Sequence, residues 1–351
     1  MFDWDWVKTV ELPRIEELVL NIKSRNFMGA FCWRACHITV LTVCILVWFP
    51  VQSGAENLVI ALLDQQTERY QNVFEGFQKS LKKQGIEMEY EVLNFDAEKD
   101  QEGKIIQSIK TKAPALVFTL GSATTEAAIR EIKNIPILAG MIVHEKQLQQ
   151  AKNATGVILN IPLRTQMDWI RRMFPGKKTI GVLFNSKENQ HLIVQARQIT
   201  EAMGLTLYAK QIESPKDLPD ALDSLSRRAD VVWGLTDSVV LTPETAKGIL
   251  LFSFRNRIPF VGLSTSWVKA GAVYALDLDY VDIGQQCGEI AGKVLREKNI
   301  HSFRPVTARK VVYALNLKAI NHMKLKLPDG LIKGAQTVFD QEIDENAKST
   351  F

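Results

Sequence analysis

Three apolar runs in the second half of this chain end as three runs in the first half end, and at nearly the same interval. NLVIALLD closes on Asp64 and KTIGVLFN on Asn185, DVVWGLTDS stands where ALVFTLGSATT stood, and RIPFVGLSTS where NIPILAGMIV stood. The offsets are 121 residues from Asp64 to Asn185, 115 from Val117 to Val232 and 123 from Pro136 to Pro259. Strand and helix patterns alternate with little interruption, which requires parallel sheets covered on both faces. Two like α/β lobes are implied, Rossmann-like and three-layered, with the carboxyl ends of both sheets around one cleft where ligands of such folds bind.

The clearest junction is LVFTLGSATTEAAIREIK, Leu116 to Lys133. Val117, Phe118 and Leu120 suit a buried strand, Gly121 allows a tight turn, and Ser122 is the expected N-cap of the helix that follows. Backbone N–H groups and the hydroxyls of Ser122, Thr124 and Thr125 then meet at the strand's carboxyl edge, a place suited to a ligand carboxylate. The competing reading is an ordinary capped turn, since such junctions are common in α/β folds. Asp64, Asn185 and Asp237 each end an apolar strand and are expected on the cleft rim, with helix caps or turn residues as their alternative roles. Ser264 and Thr265 end the partner strand, and Asp279 lies beside a crossover, where it either touches ligand or braces the hinge. A ligand carrying both a carboxylate and an amine, such as an amino acid or similar polar metabolite, would bridge Gly121–Thr125 in one lobe and Asp237 in the other.

Other classes fare worse. A net charge of +4 over 351 residues, with no dense basic block, gives nucleic-acid binding no support. The five histidines lack paired metal-ligand spacing, and the P-loop, nucleophile-elbow and dinucleotide fingerprints are all missing, so no metal, cofactor or catalytic residue is expected and the chain is not read as an enzyme. Cys287 falls on the helical stripe Ile283, Cys287, Ile290, Val294 and is expected in the core. A second methionine, Met28, opens a secretory pattern with Arg34 ahead of the apolar run Ile38 to Phe49, then Ser53 and Ala55 at the minus-three and minus-one positions. Cleavage near Ala55 would start the mature chain at Glu56, outside the cytoplasm; an uncleaved anchor is the alternative, although the run is short against the roughly 20 residues a spanning helix needs. The expected division is 1–55 extension and signal, 56–157 plus about 270–300 lobe 1, 158–269 plus about 301–330 lobe 2, and 331–351 tail.

The motifs LVFTLGSATT, NATGV, FPGKKTIGVLFNSKEN, ADVVWGLTDSVV, IPFVGLSTSWVKAGAV, DYVDIGQQCGEIAGKVL and the late LNLKAI with KLP together resemble the ABC-transporter substrate-binding proteins of the tryptophan-binding type. The resemblance runs from about Leu58 to Pro328. It implies the type I periplasmic binding protein fold, two lobes joined by crossover strands, in a secreted monomer that closes on a small solute and presents it to an ABC permease in the membrane. A periplasmic sensory partner of a membrane signalling protein would use the same binding chemistry. Asp279 matches an Asp-Tyr pair common in the family. The chain departs from the family where LAGMIVHEKQL, Leu138 to Leu148, lacks the usual Asp and Pro, and where VVYALN replaces the usual Val-Val-Asn, so the resemblance leaves the ligand open.

Overall fold

A computed structural model of the protein describes residues 56–95, 102–149 and 151–340. The secretory pattern read over 28–55 lies outside the described residues, as does the tail from 341.

The chain begins β1 (Leu58–Leu63), α1 (Glu68–Lys83), β2 (Glu89–Asn94), α2 (Glu102–Lys112), β3 (Leu116–Leu120), α3 (Ser122–Glu131), β4 (Ile137–Ile142), α4 (Lys146–Gln149) and β5 (Ala154–Ile158). After crossing it forms α5 (Leu163–Met173), β6 (Thr179–Phe184), α6 (Ser186–Ala202), β7 (Thr206–Gln211), α7 (Leu218–Ser226), β8 (Val231–Trp233), α8 (Pro243–Asn256), β9 (Phe260–Gly262), α9 (Thr265–Ala270) and β10 (Tyr274–Leu278). It closes with α10 (Tyr280–Glu297), β11 (Val306–Thr307), β12 (Val311–Asn316), α11 (Leu317–His322), α12 (Asp329–Lys333) and β13 (Thr337–Phe339).

Two sheets result, ordered β11-β5-β4-β3-β1-β2 and β13-β12-β10-β9-β8-β6-β7. Strand sequence tracks position. LVIALL of β1 and LVFTL of β3 are almost wholly buried, as central parallel strands must be, whereas the edge strands EYEVLN and TLYAKQ carry charges on exposed positions. On the first sheet, α1 and α10 bury Val73, Phe77, Leu81, Ile283 and Cys287 against one face, and α2 and α3 bury Ile106, Ile109 and Ile132 against the other. The second sheet repeats the arrangement, with Met167, Ile170 and Ile193 on one face and Leu222, Leu225 and Ile249 on the other. Each lobe is therefore a three-layer α/β unit.

The late segments settle finer than the sequence division drew them. The expected division puts 270–278 in lobe 1, but β10 pairs with β9 and β12 in the second sheet, so the crossing comes at Asp279. The run VTARKVVYALN, expected wholly in lobe 2, holds two strands: β11 pairs with β5 in the first sheet, and the chain then crosses to place β12 in the second. The tail drawn from 331 is structured to Phe339, because β13 adds a parallel edge to β12 and the Tyr313 hydroxyl ties down the Leu331 carbonyl at 2.7 Å.

The helix α10 belongs to lobe 1 by contact with α1. Asp279 caps it, accepting the Asp282 N–H at 3.0 Å, and the two helices approach so closely that a Cβ on Gly284 would lie 2.0 Å from the Val73 carbonyl oxygen. Gly284→Ala is expected to destabilise the protein by about 1 to 3 kcal/mol through overpacking. Gly248 of α8 meets nothing nearer than the Leu218 side chain at 3.5 Å, so Gly248→Ala should instead gain about 0.5 to 1 kcal/mol from helix propensity. Urea unfolding of the two variants checks the contrast, and equal effects would show that the helix contact does not limit packing.

Candidate functional site

At the carboxyl edge of the second sheet, Asp237 and Asn185 come together, but on each other. Asp237 is 4% exposed. Its Oδ2 accepts the Asn185 N–H at 2.7 Å and the Asn189 side-chain amide at 2.8 Å, and its Oδ1 accepts the N–H groups of Val239 at 2.9 Å and Val240 at 3.0 Å. Burial alone would raise its pKa, but these four donors outweigh it and hold the carboxyl below the usual range. Asn185 in turn caps α6 through the Lys187 N–H at 2.9 Å. Both residues stitch the loop after β6 to the loop after β8, and Asp237 keeps no oxygen free of a donor.

The corresponding corner of lobe 1 differs. Gly121, not Ser122, is the N-cap of α3, with φ at 111°, a left-handed value that favours glycine. A Cβ there would sit 1.9 Å from an Asp64 carboxylate oxygen, so glycine is what lets that carboxylate lie against the helix end. The Thr124 hydroxyl donates to the carbonyls of Leu120 at 3.1 Å and Gly121 at 3.0 Å, and Thr125 donates to the Gly121 carbonyl at 2.6 Å, so both hydroxyls are spent inside the turn. Ser122 stays half-buried at the helix start. The positive end expected to receive a ligand's carboxylate thus already holds Asp64. Burial pushes the Asp64 carboxyl up, offset in part by the Tyr70 hydroxyl and the Ala123 N–H, and its Oδ1 is buried without a hydrogen-bond partner.

Sequence reasoning missed a cavity among the described residues. It occupies ≈ 170 Å³ in lobe 2, at the carboxyl ends of β8 and β9 and the first half of β10, beside α5, and is walled by Ile161, Gln166, Ile170, Trp233, Tyr274 and Leu276, among others. That is far more than a lone water's share of roughly 30 Å³. Gln166 donates to the Ile161 carbonyl at 2.8 Å and accepts the Trp233 indole N–H at 3.0 Å, which fixes the indole in the wall. Tyr274 is fully buried, and its hydroxyl has no partner. None of the ten residues singled out from sequence lines this cavity, although Ser264 and Thr265, half-buried at the start of α9, directly follow its wall residue Leu263. The signal was Gln166, an amide beside Met167 and Ile170 on the apolar stripe of α5.

Three crossovers floor the cleft. Asp279 donates its N–H to the Lys310 carbonyl at 3.1 Å and pairs with the Lys310 ammonium at 2.7 Å, so it clasps two crossovers together. Burial would raise its pKa, but Lys310 and the α10 N–H groups hold it down. Beside it, Arg69 of α1 reaches Asp277 of β10 at 3.4 Å. Among the described residues no cluster of three His, Cys, Asp or Glu could hold a metal ion. Cys287 is fully buried, which pushes its thiol pKa well up and suits a core side chain rather than a nucleophile.

The two rim acids should behave oppositely. With its folded pKa below the unfolded value of 3.8, Asp237 stabilises the protein above that pH and loses the contribution as pH falls through the folded value. Asp64 has its folded pKa raised above 3.8, so its stabilising proton is lost as pH rises through the folded value, and near neutrality its ionised form burdens the fold. Asp237→Asn is expected to cost about 1.5 to 3 kcal/mol at pH 7, with the gap from the parent closing below pH 3.8, whereas Asp64→Asn should be neutral or stabilising at pH 7. Denaturant titrations across pH test both signs.

Comparison with known proteins places this architecture. The family described as ABC transporter substrate binding protein matches residues 59–339. A tyrosine-binding protein of Clostridioides difficile (strain R20291) is 23% identical over 292 residues, covering 78% of this chain and 81% of the relative. Among solved structures, the ligand-free, open form of a substrate binding protein with adhesive properties from Clostridium difficile superposes with a TM-score of 0.69 at 19% identity, over 81% of this chain and 100% of that one. An ABC domain in complex with L-Trp from Streptococcus pneumonia gives a TM-score of 0.52 at 18% identity, over 80% and 99%. Both share the two-lobed fold of type I periplasmic binding proteins. The chain belongs to the ABC transporter substrate binding protein family, whose members are solute-binding proteins rather than enzymes.

Proposed function

We propose that this protein is the extracytoplasmic receptor of an ABC uptake system for an amino acid with an apolar side chain, which it captures between its lobes and delivers to a membrane permease. The observation that carries the reading is the lobe 2 cavity, whose surface mixes polar and apolar groups and whose wall reaches Ile161 at the first crossover. Apolar walls with a few placed polar groups are the usual make-up of a small-molecule site. The named ligands of the relatives, tyrosine for the curated protein and L-Trp for the solved complex, fall in the same chemical class. Export is supported by the Arg34, apolar-run and Ser53/Ala55 pattern of the sequence.

In this reading Asp64, Ser122, Ser264 and Thr265 lie along the cleft, while Thr124, Thr125, Asn185 and Asp237 shape the loops, and Asp279 serves the hinge. Both halves of the site come from one chain, so the receptor acts as a monomer. A ligand that prefers the closed form shifts the open-closed population by that preference. Thermal-shift and calorimetric screening of the standard amino acids tests the class: L-leucine, L-tyrosine or L-tryptophan should stabilise the protein, by about 2.7 kcal/mol at a hundredfold excess over Kd, and L-glutamate and L-lysine should not. Stabilisation by sugars or by charged amino acids alone would overturn the proposal.

A further inference from the structure

One side chain bridges two walls of the lobe 2 cavity. Gln166, in the first turn of α5, donates its side-chain N–H to the Ile161 carbonyl at 2.8 Å and accepts the Trp233 indole N–H at 3.0 Å. Ile161, Gln166 and Trp233 all line the cavity, so the amide links the first crossover to the end of β8. The orientation of the amide is fixed by this pairing. An amide presents a donor end and an acceptor end, and a flipped one would set oxygen against the Ile161 carbonyl and N–H against the indole N–H. Trp233 is 2% exposed, and the only polar atom of its ring can donate but not accept, so Gln166 is what satisfies it. Packing alone holds the ring less firmly than an ordinary core side chain. A close-packed residue is confined by neighbours all round, whereas a ring bordering a cavity lacks those contacts on one side.

We infer that Gln166 is the positioning residue of this cavity: by holding the Trp233 indole it sets the size of side chain that the cavity admits. The inference rests on the amino-acid reading above and deepens it. A cavity of about 150 Å³ takes one benzene ring. At ≈ 170 Å³ the present one has room for the isobutyl group of leucine or the single ring of tyrosine, and the two fused rings of tryptophan need a wall to give way. The backbone walls cannot. Gly234 and Gly262 line the cavity where a Cβ would lie 2.6 Å from the Val261 carbonyl oxygen and 2.6 Å from the Trp267 Cβ, respectively, so neither segment has slack. The wall that can turn aside is the Trp233 ring, and Gln166 stops it from doing so. Moving the ring would strand its N–H, a buried donor with no other partner. The hydrogen bond therefore acts as a limit on ligand size, although Gln166 itself has both ends of its amide spent on the protein.

Calorimetry of L-leucine, L-tyrosine and L-tryptophan with the parent and three variants, beside urea unfolding, tests this. The parent should bind L-leucine or L-tyrosine at least about tenfold more tightly than L-tryptophan. Gln166→Met keeps the length of the side chain but gives the indole no strong acceptor, and should narrow that gap to about threefold or less. On a Trp233→Phe background, which keeps a ring and removes the N–H, Gln166→Met should change the ratio no further, because the bond it cuts is already gone. Gln166→Glu, ionised, has no donor for the Ile161 carbonyl but still offers the indole an oxygen, so it should lose stability while keeping the parent's ratio. If Gln166→Met lowers stability and leaves the ratio at the parent's value, the amide is a structural tie only and the inference fails. It fails also if Gln166→Glu shifts the ratio as far as Gln166→Met, since the bond to Ile161 would then carry the effect. A parent that binds L-tryptophan as tightly as the other two overturns this inference alone, whereas a parent that binds none of the three overturns the amino-acid reading as well.

Discussion

The close contact of α1 with α10 dictates most of this architecture. Two helices more than 200 residues apart in sequence pack backbone against backbone because Gly76, Gly284 and Gly288 carry no Cβ where the other helix's carbonyls pass. Phe77 stacks on Phe118 at 4.2 Å beneath this contact, and Gln84 reaches across it to the Gly288 carbonyl at 2.9 Å. A helix made after all the strands of β6 to β10 must therefore return to the first lobe, and the strand β12 must then go back to the second. One connection between lobes becomes three. Three strands of backbone crossing side by side restrict the lobes to hinge-like motion, and the Asp279–Lys310 clasp and the Arg309 fork on Asp282 and Glu289 pin the crossovers to the start of α10. The cleft and its floor are consequences of where one helix finds a groove narrow enough to fill.

Within that frame the carboxylates divide by what surrounds them. Asp237 is a structural anion: its charge is distributed over four N–H donors from two loops, so the loops are held in the geometry that shapes the lobe 2 rim. Asp64 sits at the same place in the repeat as Asn185, the strand end after β1, but caps no turn of its own helix. It reaches instead to the neighbouring helix end at α3, and one oxygen stays buried and unmatched. The two lobes therefore present unlike edges despite their shared order of strands: one rim is electrically closed, the other retains an acceptor. Repeat symmetry in the backbone does not carry over to the charge.

What the sequence discloses is whatever depends on local pattern. Buried central strands, the near-repeat of their ends, the apolar stripe carrying Cys287 and the helical nature of the DYVDIGQQCGEIAGKVL segment are each readable from spacing, because each is decided by residues within one or two turns. Relations between distant segments are not readable in that way. Val306 and Thr307 are exposed and form a two-residue strand, too short to show a period, so the crossing between β11 and β12 leaves no trace in the run VTARKVVYALN. The tail's TVF strand pairs only on one side, and its alternation is equally brief. Ser122 is a better N-cap by composition than Gly121, but the approach of the Asp64 carboxylate from β1 decides the matter. The cavity depends on Gln166 meeting Trp233 across 67 residues, which no local rule anticipates.

The placement of the cavity constrains how capture proceeds. Its walls belong to lobe 2 and to the first crossover, so a side chain seated there under the proposed function would touch no group of lobe 1. Such binding raises affinity without changing the balance between the two forms, because a ligand with equal affinity for both shifts nothing. Moving a two-state equilibrium from 1:99 to 99:1 takes about 5.5 kcal/mol of differential affinity. That difference has to come from groups that the ligand meets only when lobe 1 arrives. Under the proposed function, selectivity for the side chain and commitment to closure would thus fall to different parts of the molecule, the first to the cavity wall of lobe 2 and the second to groups of lobe 1. A permease that recognises the closed form would then read whether the ligand's polar end is engaged, not merely whether the pocket is filled.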